Sequence, residues 1–455
     1  MPQLSCFKAY DIRGIVGRDL TASIATRIGR AFAQTLSCRR VVIGRDWRQS
    51  SPELSDATVK GLLAAGADVF DLGPCGTEEV YHATSHFGAD GGIMITASHN
   101  PAEYNGMKMV GKGSTPLDPA DDLAAIRALA ESNNFPAAVS GQLCPATGAR
   151  AAYVAQVLRF IDRDALKPLT ILVNAGNGAA GPTFDAIADA LVKTPLRFIR
   201  HNHAPDSTFP NGVPNPQLVQ NQAMTAAAVR AAGADLGVAW DGDFDRCFLF
   251  DHTGAFVPGE YVVGLLAQAF LAKEPGATIA IEPRVIWNSQ DIISAAGGRA
   301  VLSRTGHSHM KRALRNHNAV YGGEMSAHHY FRDFMFCDSG MIPWLLVAEL
   351  MSRTGQNLAA LIAPRLAAFP SSGEINFTLP DQNAALARVR EALGPKALVI
   401  DETDGLSLTF PDWRLNLRQS NTEPLLRLNV EAKFDRAIVD RAVACITSLI
   451  LPPQA

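Results

Sequence analysis

Residues 91–101 read GGIMITASHNP, an apolar run that stops abruptly in a polar cluster centred on Ser98. The run is short, β-branched and flanked by glycine, which predicts a buried strand rather than a helix. Similar runs recur along the chain: RRVVIGRD (39–46), ADVFDLG (67–73), LTILVNAG (169–176), LRFIRHN (196–202), ADLGVAW (234–240), ATIAIEP (277–283) and AVYGGE (319–324). Longer Ala/Leu-rich stretches of helical period separate them. This alternation predicts an α/β fold of mostly parallel sheets covered by helices. Three of the strands end in chemically distinct polar loops: Ser98, DGDFDR (241–246) and GGEMSAHH (322–329). Ligands of open α/β sheets gather beyond the carboxyl ends of strands, so these loops are candidates for one shared site.

With 455 residues, 47% of them hydrophobic and 19% charged, the chain has the composition of a multidomain globular protein rather than a disordered one. Its net charge is −3, and no Lys/Arg block suited to nucleic acid or an anionic membrane occurs. Seven scattered cysteines without a CxxC pair support neither a disulfide framework nor a zinc site, and read as core thiols. The first twenty residues carry Lys8, Asp11, Arg13, Arg18 and Asp19, leaving no apolar signal core, and the run from Tyr261 is too short to span a bilayer. The expected location is cytoplasmic. Loop-like stretches at 133–148, 250–256 and 367–377 predict domains 1–145, 146–252, 253–367 and 368–455. The last of these, with WRLNLRQSNTEPLLRLNVEA (413–432), reads as two strands around a polar turn in an α+β module.

Ser98 read by itself is a helix cap or turn residue. A hydrolase reading lacks a GxSxG elbow, and His99 needs an unusual backbone to reach its neighbour's hydroxyl. Asp241, Asp243 and Asp245, spaced by two, can converge on one hard cation such as Mg²⁺ if their loop stays extended; a solvated acidic loop is the plainer alternative. An EF-hand does not fit, because Arg246 and His252 occupy positions that need glycine and glutamate. Arg246 is placed as a phosphate fork. GNGAAG (176–181) has the form of a dinucleotide fingerprint, but the next strand ends without a ribose-binding acid, so close helix–sheet packing is the better reading than NADP. In RQSNTEP (418–424), Arg418, Ser420, Asn421 and Thr422 form a donor set sized for one phosphate. Glu324 and Ser326 suit vicinal sugar hydroxyls, with His328 beside them.

Six stretches in this order, KAYDIRG (8–14), TASHNP (96–101), DGDFDR, TGHSHMK (305–311), GGEMSAHH and RQSNTEP, resemble the bacterial phosphomannomutase/phosphoglucomutase branch of the α-D-phosphohexomutase family, from about residue 6 to the C-terminus. The resemblance implies three related α/β domains with mixed or parallel sheets and a fourth, phosphatase-like α+β domain around one central cleft. It implies reversible interconversion of mannose 1-phosphate and mannose 6-phosphate, with the glucose phosphates as further substrates. Ser98 would be the phosphoserine, completing with Asp241, Asp243 and Asp245 the shell of one Mg²⁺ per chain, and hexose 1,6-bisphosphate would be the intermediate. Arg13, Lys108 and His307 would line the reacting centre with Arg246, and Lys108 and His328 stand as alternatives for the general acid or base. Arg284, Glu324, Ser326, Arg418, Ser420, Asn421 and Thr422 would bind substrate, Arg284 standing where the family often has lysine. Hexose phosphates are the expected partners, with no nucleic acid or membrane, in a monomer or weak homodimer. Two alternatives are an NADP-dependent oxidoreductase built on GNGAAG and a non-catalytic sugar-phosphate-binding protein.

Overall fold

The computed structural model describes residues 4–420 and 425–451. Its backbone separates into two compact units, Met1–Phe256 with His328–Gly355, and Val257–Ala327 with Gln356–Ala455.

In the first unit, β1 (Ile12–Ile15), β2 (Arg40–Arg45), β3 (Asp68–Pro74), β4 (Gly91–Ile95), β5 (Tyr104–Gly111) and β6 (Leu143–Pro145) form a sheet of order β1-β5-β4-β2-β3-β6. Helices α1 (Ala22–Thr35), α2 (Ser51–Ala64), α3 (Thr77–His86) and α4 (Ala124–Ser132) accompany it. Every residue of β4 is buried, as a central strand covered on both faces requires. Phe32, Ile43, Ile93, Ile95, Met107 and Ile126 share the main core here. After α5 (Ala149–Leu158) come β7 (Leu169–Asn174), α6 (Ala180–Ala190), β8 (Leu196–His201), α7 (Val219–Ala232), β9 (Leu236–Trp240) and β10 (Cys247–Asp251), with strand order β10-β9-β7-β8.

Most strand pairs in these sheets are parallel, as expected, and antiparallel pairs join them at the polar loops. Strand β4 runs parallel to β2 but antiparallel to β5, with Ile95 opposite Met107, and β9 runs antiparallel to β10, with Trp240 opposite Cys247. The reason lies in the polar loops themselves. Residues 96–103 and 241–246 are too short to hold a crossover helix, so each strand can only fold back on its neighbour. The Ser98 and aspartate loops are therefore strand-to-strand connections, and the helix-cap reading of Ser98 is set aside.

In the second unit, strand Thr278–Ile281 lies parallel to Arg299–Leu302 and to Tyr321–Gly323. The C-terminal sheet is antiparallel, with Trp413–Gln419 paired to Leu425–Ala432. Helices Gln382–Leu393 and Arg436–Ile450 close its core through Val389, Leu417, Leu428 and Ile446. The expected two strands around a polar turn are present, although Asn421 and Thr422 lie outside the described residues. Among the described residues no helix is long and apolar enough to cross a membrane.

Candidate active site

Ser98 is buried in the β4–β5 connection with a left-handed backbone, φ 50°. Its N–H donates to Thr96 Oγ1 at 2.9 Å, and Thr96 Oγ1 donates to the buried carboxylate of Asp46 at 2.8 Å. Arg13, from β1, reaches the same loop by donating to the Ala97 carbonyl at 3.1 Å and to Asn100 Oδ1. The Ser98 hydroxyl donates to Asp241 Oδ2 at 2.7 Å and lies 3.0 Å from His99 Nδ1. His99 reaches its neighbour because the left-handed turn at Ser98 supplies the unusual backbone that this contact requires. Burial, then the positive charges of Arg246, Arg13 and Lys108, push the His99 pKa well below its ordinary value, so the ring is neutral.

The aspartate loop is neither extended nor solvated. Phe244 N donates to the Asp241 carbonyl at 3.2 Å, and Phe244 takes φ 50°, giving a turn whose three carboxylates are all buried. The turn brings one ligand atom from each of Asp241, Asp243 and Asp245 within 4.8 Å of one another. Their Oδ2 atoms are engaged: Asp241 by Ser98, Asp243 by Lys108 Nζ at 2.7 Å, and Asp245 by the same ammonium. Their Oδ1 atoms are buried and accept no hydrogen bond from the described residues. Three buried carboxylates gathered this closely, each with an oxygen that accepts no hydrogen bond among the described residues, are the donor set a small divalent cation takes, so these residues fit such an ion.

Electrostatics divides the three acids. Burial and repulsion from Asp245 and Asp243 push Asp241 up to about 7. Burial works the same way on Asp245, yet Lys108 and His328 hold it well below the usual carboxylate range. Burial disfavours the charge on Lys108 as well, but Asp243, Asp245 and Asp241 outweigh that and keep it an ammonium. Arg246 Nε donates to His328 Nε2 at 3.1 Å and lies 3.7 Å from Asp241 Oδ2, while His328 Nε2 is 3.5 Å from Asp245 Oδ1. The first unit thus assembles Arg13, Ser98, Lys108, the three aspartates, Arg246 and His328.

The second unit holds the other sequence-predicted residues. Arg284 Nη1 and Arg418 Nη2 both donate to Glu374 Oε2, at 3.1 and 3.3 Å, and Arg427 Nη1 lies 3.3 Å from Glu374 Oε1. Three guanidiniums on one carboxylate leave a surplus of positive charge suited to an anion. Arg284 Nε also donates to Glu282 at 2.5 Å, and Ser326 Oγ lies 3.4 Å from Arg284 Nη2. Glu324 Oε1 accepts from Gly306 N at 2.7 Å, just before His307 opens the helix His307–His317. Ser420 N donates to the Leu425 carbonyl at 2.8 Å.

Sequence reasoning missed Thr77, Asp46, Arg48, Glu374 and Arg427. Local patterning marks none of them, since each acts through a partner distant in the chain. GNGAAG resolves as packing. A Cβ on Gly178 would lie 3.0 Å from the Gly242 carbonyl, and one on Gly181 would lie 2.1 Å from the His203 carbonyl. Arg200, the basic residue on β8 that could meet a 2′-phosphate, is instead tied to Asp185 at 2.8 Å.

Models of the phosphoglucomutase/phosphomannomutase domains match in order: α/β/α domain I at residues 5–137, domain II at 151–254, domain III at 258–369 and the C-terminal domain at 374–448. The chain belongs to the phosphoglucomutase/phosphomannomutase family. It is 51% identical over 455 residues to a phosphomannomutase of Salmonella montevideo, covering 99% of this chain and 100% of that protein. A Xanthomonas campestris pv. campestris protein named phosphohexose mutases is 51% identical over 450 residues, covering 98% of this chain and 99% of its own. Among solved structures, a phosphoglucomutase/phosphomannomutase family protein from Burkholderia thailandensis superposes with a TM-score of 0.88 at 30% identity, covering 100% of this chain and 99% of the other. In this phosphoglucomutase/phosphomannomutase family member, GNGAAG therefore lies inside domain II and buttresses the aspartate loop, with Ala179 N donating to the Gly242 carbonyl at 3.0 Å.

Proposed function

We propose that this protein is a phosphomannomutase that reversibly interconverts mannose 1-phosphate and mannose 6-phosphate, and the corresponding glucose phosphates, through a phosphorylated Ser98. The observation that carries this reading is the Ser98 hydroxyl 2.7 Å from Asp241 in a cluster of three buried aspartates whose Oδ1 atoms accept no hydrogen bond among the described residues. Likeness to relatives that bear the phosphomannomutase name supports it. Asp241, Asp243 and Asp245 would hold one Mg²⁺, which when bound supplies Lewis-acid polarisation and charge neutralisation at a phosphoryl group.

In the first half-reaction the P–Oγ bond of phosphoserine 98 breaks as an oxygen of the sugar, O6 or O1, bonds to phosphorus. The sugar hydroxyl gives up its proton, and the serine oxygen takes one. Lys108, held as an ammonium, suits the donor role, and His328 is our candidate acceptor. Arg246 and Arg13 offset the charge of the transferring group, so catalysis is mainly positioning and charge stabilisation. The hexose 1,6-bisphosphate then turns end for end, and the phosphoryl group on the other carbon returns to Ser98. Arg418, with Arg284, would anchor the phosphate not being transferred, while Glu324 and Ser326 take sugar hydroxyls and His307 lines the substrate.

Intact mass with and without phosphatase treatment, followed by coupled assays on mannose and glucose 1-phosphates, tests this. A fractional gain of about 80 Da on Ser98, and inactivity of Ser98→Ala, are expected. Full turnover by Ser98→Ala would exclude the mechanism. Nicotinamide-cofactor binding, or sugar-phosphate binding without turnover, would favour the alternatives.

A further inference from the structure

The two oxygens of Asp243 live in different surroundings. Oδ2 accepts from Thr77 Oγ1 at 2.5 Å and from Lys108 Nζ at 2.7 Å, whereas Oδ1 is buried and accepts nothing from the described residues. Thr77 is 166 residues away in the chain. It is the first residue of α3, fully buried, and its backbone N–H also donates to the Asp243 carbonyl at 3.2 Å. One residue therefore fixes both the main chain and the carboxylate of Asp243. Lys108 cannot do this alone, because its long flexible stem divides one ammonium between Asp243 and Asp245. The threonine side chain is short and restricted at χ1, and its own backbone hydrogen bond holds it against the Asp243 main chain.

Close packing brings the helix start there. The Gly76 Cα, just before Thr77, faces the Phe244 ring, with no room for a Cβ between them. The next residue, Glu78, accepts from Gly340 N and Met341 N at 3.0 and 3.1 Å, a further anchor for the start of α3.

We propose that Thr77 is a positioning residue for the cation: its hydroxyl occupies Oδ2 of Asp243 and so turns Oδ1 toward the ion. This rests on reading the three aspartates as the cation site. A hydrogen bond that orients a metal-ligating carboxylate typically governs metal affinity as well as ligand geometry.

Binding of Mn²⁺ to the full-length protein, followed by calorimetry or by the electron paramagnetic resonance of free Mn²⁺, tests the proposal. Thr77→Val keeps the volume and removes the donor, and Thr77→Ala removes it with less packing demand. Each should raise the Mn²⁺ Kd on the order of tenfold, while Thr77→Ser, which keeps the hydroxyl, should stay within about twofold of the parent. Thermal unfolding in EDTA reports separately on packing. An unchanged Kd in the valine and alanine variants, even with a lower Tm, would overturn the assignment, as would equal weakening in the serine variant. Asp243→Asn distinguishes the two levels of the argument. If it binds Mn²⁺ like the parent, the cation-site reading itself fails; if it loses Mn²⁺ while Thr77→Val does not, only the role of Thr77 fails.

Discussion

Arg48 and Ser98 stand fifty residues apart in the chain, and the Arg48 guanidinium holds the Ser98 loop by its carbonyls. Nη2 donates to the carbonyls of Ser98 at 2.9 Å and Asn100 at 2.6 Å, and Nη1 to those of Pro101 at 2.8 Å and Tyr104 at 3.0 Å. The guanidinium is 1% exposed and its Nε lies 3.4 Å from Asp46. A planar fork with five donors can collect four carbonyls in a way an ammonium cannot. The clamp holds Ser98 in a left-handed conformation that a non-glycine residue adopts only when its surroundings impose it.

Arg48→Lys should therefore keep the charge and lose the loop geometry. We expect destabilisation of about 3 kcal/mol in urea unfolding, from lost hydrogen bonds to a charged donor at a buried site. Phosphorylation of Ser98 by hexose 1,6-bisphosphate, followed by intact mass, should slow as well. A lysine variant that matches the parent in both measurements would show that the clamp is dispensable.

Gly76→Ala tests the contact between the start of α3 and the aspartate loop. The added Cβ would fall 2.0 Å from a Phe244 ring carbon, and the ring is fully buried, so the loop has to shift. Overpacking of this kind costs about 1–3 kcal/mol. The expected outcome is a lower unfolding free energy together with a higher KM for Mg²⁺; a loss of stability with unchanged Mg²⁺ dependence would uncouple the contact from the site.

Glu78 makes stability depend on pH. Burial raises its pKa well above the ordinary 4.5, more than the neighbouring Ser339 and Tyr153 hydroxyls and the N–H groups of Gly340 and Met341 lower it. A carboxyl with a raised folded pKa holds its proton more tightly when folded. Its contribution is fully present below the unfolded pKa and is lost as pH rises from about 4.5 toward the folded pKa. Glu78→Gln keeps an oxygen acceptor for the two backbone N–H groups and removes the titration, so its Tm should fall less than that of the parent between pH 5 and 8. Parallel Tm–pH curves for the two proteins would contradict this.

Arg418→Ala should raise KM for mannose 1-phosphate and glucose 1-phosphate alike. A phosphate anchor contacts the group common to both sugars and not the C2 centre where they differ. The expected loss in kcat/KM is about 1.5–3 kcal/mol for a charged hydrogen bond. Steady-state kinetics on both substrates checks it, and loss of one sugar with retention of the other would assign the residue to specificity instead.

What the sequence determined by itself was local. The strand before Ser98, the three aspartates spaced by two, and the paired strands around RQSNTEP are all legible because hydrophobic period and loop chemistry act between near neighbours. The shortness of the Ser98 and aspartate loops already implied antiparallel partners, a consequence that the helical punctuation elsewhere obscured. The tertiary structure decided which distant side chains complete those loops. Threonines, arginines and glutamates are common along the chain, and nothing beside Thr77, Arg48 or Glu374 in sequence marks its partner. Sheet order and helix docking set Thr77 against Asp243, Arg48 under Ser98, and Arg427 beside Arg284 and Arg418 on Glu374. Left-handed turns at Ser98 and Phe244 likewise exist because surrounding contacts hold them, and they aim His99 and the aspartates where an extended chain would not.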